Sequence, residues 1–122
     1  MKAELKAQDC TDHDPIEAWQ PPDADDVDYR LCLHIGPAGQ SGEELFYVNV
    51  LSDAAARRIP AARLARRKHI IVSDYSWSGV MRAVNEALRE AEGADWSEVA
   101  QKLARRFDWE FERYQPYVPR NA

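Results

Sequence analysis

The segment Asp95-Trp96-Ser97-Glu98-Val99-Ala100-Gln101-Lys102-Leu103-Ala104-Arg105-Arg106-Phe107 decides the fold class. Trp96, Val99, Ala100, Leu103 and Phe107 recur at helical spacing and line one side of a 3.6-residue period with apolar bulk, so this face must pack on something. Asp95 stands where an N-cap carboxylate accepts the first free amides. Glu98, three residues on, is placed to reach back to the Asp95 amide. The spacing therefore predicts a helix over 95–107. Beyond it, Trp109, Phe111 and Arg113 alternate with Asp108, Glu110 and Glu112, the two-residue period of an extended ending at a sheet edge over 109–114.

The same design occurs one element earlier. Trp77, Val80, Met81, Val84 and Leu88 repeat the helical spacing, Ser76 or Ser78 can cap the start, and Gly93 suits a C-terminal stop, which predicts a helix over 76–92. Ahead of these helices the period changes to two. Ala3, Leu5 and Ala7 alternate with Lys2, Glu4 and Lys6. Val27, Tyr29, Leu31, Leu33 and Ile35 alternate with Asp28, Arg30, Cys32 and His34. Phe46, Val48 and Val50 follow the turn Gly36-Pro37-Ala38-Gly39-Gln40-Ser41-Gly42, which makes a hairpin, and His69-Ile70-Ile71-Val72-Ser73 is a β-branched run. Between them Ser52 to Lys68 is helix-prone but divided by Pro60, so a short helix to about Arg58 and a second turn opening at Pro60 are expected. The fold class that follows is α+β: a mostly antiparallel four- to five-stranded sheet with two C-terminal amphipathic helices packed on one face. Each large stripe residue is worth roughly 1.5–3 kcal/mol on burial, against at most about 1 kcal/mol for a surface ion pair. Packing therefore decides the fold.

The 122 residues suit a single domain over 1–122, with a loose tail at 116–122. Apolar residues make up 45% and charged ones 30%, a globular balance. The net charge of −5 disfavours nucleic acid as the main partner, because phosphate binding depends on clustered Lys and Arg. Cys10 and Cys32 form neither a CxxC pair nor a disulfide framework, and are expected as reduced thiols. No run approaches the roughly 18 apolar residues of a membrane span, and the first residues hold no apolar signal core. A cytoplasmic location is expected, with no membrane partner.

Charge is unevenly distributed. Asp9, Asp12, Asp14, Glu17, Asp23, Asp25, Asp26 and Asp28 crowd a stretch with no Lys or Arg, and Pro15, Pro21 and Pro22 bar regular pairing, so 9–26 is an acidic loop. Trp19 inside it reads either as an anchor of the loop to the core or as an interface residue. Arg57, Arg58, Arg63, Arg66, Arg67 and Lys68 form a basic counterpart. They read as a solvated face balancing the loop, or as a patch for RNA or another acidic partner.

No phosphate-binding loop, nucleophile elbow, dinucleotide fingerprint or HExxH metal motif occurs. Cys32 and His34 share one side of a strand and could be written as a nucleophile and base, yet nothing in the spacing supplies an oxyanion site or an orienting group. The pairs Glu43-Glu44 and Glu110, Glu112 read as solvated charges. No catalytic, cofactor-binding or metal-ligating residue is assigned, and an enzyme is not expected.

Three blocks carry a family likeness: Ile35-Gly36-Pro37 through Gly42-Glu43-Glu44-Leu45-Phe46; Arg67-Lys68-His69-Ile70-Ile71-Val72 with Tyr75; and Trp96-Ser97-Glu98-Val99-Ala100 through Leu103 to Phe107-Asp108-Trp109-Glu110-Phe111-Glu112-Arg113-Tyr114. With the opening Met1-Lys2-Ala3-Glu4-Leu5-Lys6, the chain resembles the immunity protein 8 family of bacterial polymorphic toxin systems. It departs from the family pattern at Leu51-Ser52-Asp53-Ala54, where a Thr-Pro turn with an aromatic is the expectation. The resemblance implies a small non-catalytic protein that binds and neutralises a cognate toxin. An acidic loop suits a toxin that is a nuclease with a basic groove, and Glu17, Trp19, Asp23, Asp25, Asp26 and Asp28 are the toxin-binding candidates. The other reading is a non-catalytic adaptor that binds RNA or an acidic partner through 57–68.

Overall fold

The computed structural model describes residues 1–111. Five strands form one sheet: β1 (Ala3–Asp9), β2 (Asp28–Pro37), β3 (Glu44–Ser52), β4 (His69–Val72) and β5 (Asp108–Trp109). Two short helices, α1 (Asp53–Arg57) and α2 (Ala61–Leu64), lie between β3 and β4. Two longer ones, α3 (Trp77–Glu90) and α4 (Trp96–Leu103), lie between β4 and β5. The sheet order is β1-β2-β3-β4, and β5 shares the β3 edge with β4, pairing Phe46 with Trp109 and Tyr47 with Asp108. Every pair is antiparallel except β3–β4, which is parallel because the α1–α2 crossover returns the chain to the starting end of the sheet. The α+β class is as read from the sequence.

One face of the sheet is the core. Tyr29, Leu31, Leu33 and Ile35 of β2 and Phe46, Val48 and Val50 of β3 are buried against Val80, Val84, Ala87 and Leu88 of α3 and Val99, Ala100 and Leu103 of α4. Both helix stripes face inward as their spacing requires. Phe107 is also buried, but it is delivered by a turn after Leu103 and not by α4 itself. The expected strand over 109–114 is shorter and earlier, at Asp108–Trp109. Glu112, Arg113, Tyr114 and the tail at 116–122 lie outside the described residues.

The opposite face is not bare at one end. Leu51 packs there with Ala55 and Ala56, flanked by Ile59 and Leu64, so α1 and α2 cap the β3–β4 side of it. Their division follows Pro60, which precedes Ala61 at the α2 cap.

β1 departs from simple alternation. Its register slips between Leu5 and Ala7, so Leu5 pairs with Ile35 while Ala7 pairs with His34. Lys6 is the extra residue of a β-bulge, and past it each side chain moves to the opposite face. Ala7 is therefore exposed, and not on the Ala3–Leu5 side that strict alternation implies. Asp9, which without the bulge would face the helices, lies on the outer face opposite Cys32.

Candidate functional site

Glu17, Asp23, Asp25, Asp26 and Asp28 are all exposed, and Trp19 is half-buried. Within the acidic stretch, Asp9 belongs to β1, Ile16–Ala18 forms a 3-10 turn that buries Ile16, and Asp28 opens β2. Trp19 stacks on His13 at 4.0 Å and meets Tyr29 and Tyr75 edge-on at 5.6 and 5.5 Å. The indole holds the segment to the core. Tyr29 and Tyr75 share a hydrogen bond of 2.9 Å beneath it, and burial pushes both phenols above their ordinary range.

The far end of the segment is pinned by Ser52. Its hydroxyl donates to the Asp25 carbonyl at 2.9 Å and accepts from the amides of Val27 and Ala55 at 3.3 and 3.2 Å. It caps α1 while closing the loop, at the position where the chain departs from the expected Thr-Pro turn. Arg58 adds a bond of 2.8 Å to the Asp25 carbonyl and an ion pair of 3.7 Å to Asp26. Asp23 turns inward on its own loop, accepting from the Asp25 amide at 2.9 Å. The segment is thus a fixed ridge of carboxylates, of which Asp26 is partly neutralised.

The basic stretch divides instead of forming one stripe. Arg58 turns to the acidic segment, whereas Arg66 and Arg67 line an open cleft of about 480 Å³ with Arg30, Asn49, Asp108, Trp109 and Glu110. The cleft is of mixed sign, since Arg30 pairs with Asp108 at 3.4 Å and lies 5.0 Å from the Tyr47 ring centre.

On the outer sheet face His34 lies between two carboxylates, Nε2 at 2.7 Å from Asp9 and Nδ1 at 3.0 Å from Glu43. Their hydrogen bonds, that of Glu43 first, hold its pKa above the ordinary histidine range. Both ring nitrogens are engaged by carboxylates, and burial together with the Asp9 charge raises the Cys32 thiol. This is the opposite of the environment that activates a cysteine nucleophile, so the pairing of Cys32 with His34 as nucleophile and base is not assembled.

Two sequence readings need correction. Glu43 and Glu44 are not merely solvated. Glu43 holds His34, and the Glu44 carboxylate accepts from the indoles of Trp96 and Trp109 at 2.8 and 2.7 Å. Glu110 likewise accepts from the Leu45 amide at 2.8 Å. The partners of Glu44 and Glu110 are remote in sequence, so spacing offered no signal for them, whereas Glu43 meets His34 across the hairpin. Ser52 was legible only as the opening of a helix-prone stretch.

The described residues thus form a two-layer α+β domain that carries an exposed acidic segment before β2. The chain belongs to the Immunity protein 8 family, whose model matches residues 3–114. The family implies an immunity protein of a polymorphic toxin system, with a cognate toxin as its protein partner. No curated protein and no solved structure matches the chain. Among the described residues no helix is long and apolar enough to cross a membrane.

Proposed function

We propose that this chain binds its cognate toxin domain one to one and non-covalently, in the cytoplasm of the producing cell, and blocks it without chemistry. Family membership carries the reading. The contact surface in this proposal is the acidic ridge: Glu17, Trp19, Asp23, Asp25, Asp26 and Asp28. Support comes from its anchoring. A ridge already tied down by Trp19 and Ser52 loses little conformational freedom on binding, which favours affinity. Its carboxylates also suit a toxin whose own ligand is a phosphate chain, so a nuclease with a basic groove is the toxin chemistry they match.

The test is co-expression with the C-terminal domain of whatever large secreted protein the neighbouring reading frame encodes. Growth should be restored by the intact immunity protein, and the two should copurify at equal stoichiometry. Failure to protect, with both proteins folded and expressed, would overturn the proposal.

A further inference from the structure

The outer sheet face gathers three different donor types, the Asp9 carboxylate, the Cys32 thiol and the His34 imidazole, whose ligand atoms all lie within 4.8 Å of one another. We propose that these three side chains form a binding site for a divalent transition metal of the zinc class, with one coordination position left to solvent. The site is separate from the acidic ridge and does not rest on the toxin-binding proposal.

The donor set is specific. A thiolate and an imidazole select borderline-soft ions over calcium or magnesium, and a carboxylate completes a three-ligand set of the kind that leaves zinc an open position. The backbone already holds the three together. Cys32 and His34 are alternate residues of β2, and Asp9 is the direct cross-strand partner of Cys32. Asp9 reaches this face only because the bulge at Lys6 turns β1 over.

The shift needed for ligation is small. Metal bonds of about 2.0–2.3 Å in tetrahedral array put ligand atoms about 3.3–3.6 Å apart. His34 Nε2 and Asp9 Oδ2, now 2.7 Å apart, would open by under about 1 Å as the ion enters between them. Cys32 Sγ would close by about 1.5 Å at most from its 4.8 Å limit. Rotation of side chains on a rigid sheet suffices.

Glu43 supplies the outer support. Its carboxylate accepts from His34 Nδ1 at 3.0 Å, which fixes the ring so that Nε2, bonded to Asp9 at 2.7 Å, is the nitrogen that exchanges this contact for the ion. The His34 side chain is 23% exposed and that of Asp9 56%, so an ion can enter from solvent without opening the core.

The full chain, stripped of metal with a chelator and kept reduced, is to be titrated with Co²⁺ and then Zn²⁺. One equivalent of Co²⁺ should develop a near-ultraviolet thiolate-to-cobalt absorption, which Zn²⁺ abolishes. Cys32→Ser should lose the absorption, His34→Ala and Asp9→Asn should weaken binding at least about tenfold, and Glu43→Gln should weaken it about 10–100-fold. Circular dichroism in chelator identifies any variant that fails to fold. A measurement on the unmodified chain covers that case: Zn²⁺ should protect Cys32 from alkylation. Absence of the cobalt band, a folded Cys32→Ser variant that binds as the parent does, or Cys32 alkylation unaffected by Zn²⁺ would each overturn the site.

Discussion

At Glu44 one carboxylate accepts two indole N–H groups, and through them β3 holds both α4 and β5. Hydrogen bonds to a charged group in half-buried surroundings are worth about 1.5–3 kcal/mol each. Glu44→Ala is therefore expected to lower the unfolding free energy by about 3–6 kcal/mol in urea titration. Glu44→Gln should lose less, because its amide oxygen still accepts from an indole. A loss below about 0.5 kcal/mol for Glu44→Ala, the level of an ordinary surface change, would show that the bridge contributes little. Gly36 is the second single-residue constraint. A Cβ there would stand 2.0 Å from the Gly42 carbonyl oxygen, so the two ends of the hairpin turn touch. Gly36→Ala must push them apart and should destabilise by at least about 1–3 kcal/mol, the range for overpacking. That glycine was legible as part of a turn, whereas its contact with Gly42 was not, because a close approach has no local pattern.

Among the elements, α4 shows how far a local signal reaches. Its start is as the spacing predicts: Asp95 caps the helix, accepting from the Glu98 amide at 2.9 Å. The reciprocal bond differs by one residue. Glu98 reaches the Ala94 amide at 3.0 Å and not that of Asp95, with its other oxygen 3.4 Å from Lys102 one turn on. Gly93 serves this contact too. A Cβ there would crowd the Glu98 side chain at 3.0 Å, and its φ is not in the left-handed region expected of a helix-stopping glycine. The Ala94 amide first, then Lys102, hold the Glu98 carboxyl below its ordinary range. A carboxyl depressed in the folded state stabilises above its unfolded pKa of about 4.3 and loses that contribution as pH falls through the folded value. Thus Glu98→Gln should be less stable than the parent at neutral pH, and the two should converge below pH about 4. Urea midpoints measured from pH 7 to pH 3 check this, and a gap that stays constant would exclude the linkage.

Ser52 acts at the same level, since one buried hydroxyl caps α1 and ties down the acidic segment. Loss of an N-cap costs about 1 kcal/mol. Ser52→Ala should in addition speed amide exchange across 23–27 more than in α3, because those residues lose their tether. Uniform acceleration across the chain would mean that the hydroxyl has no local tethering role.

For the whole molecule, the two layers set where a partner finds charge. The helices bury one face of the sheet, α1 and α2 cover part of the other, and the acidic ridge runs along the loop before β2. If that ridge steers the toxin, replacing Asp23, Asp25 and Asp26 together with Asn should slow association several-fold at low salt and leave dissociation less affected. The difference should shrink as salt shortens the screening length to about 8 Å at physiological ionic strength. Stopped-flow rates at two salt concentrations decide the matter: equal association rates for parent and variant at low salt would remove the ridge from the encounter. The three Asn substitutions leave the Ser52 tether and the Trp19 packing in place, so the fold should be retained.

The sequence by itself determined the α+β class, the four strands that precede the helices, both apolar helix stripes and the acidity of the segment before β2. Each is a short-range property, carried by residues within a few turns or alternations of one another. It also carried the family likeness, through ordered blocks of glycines and aromatics. Tertiary structure alone decided the parallel pairing of β4, the Glu44 bridge, the Ser52 tether and the meeting of Asp9 with Cys32 and His34. These depend on register between distant segments, and a single inserted residue, Lys6, is enough to carry Asp9 from one face of the sheet to the other.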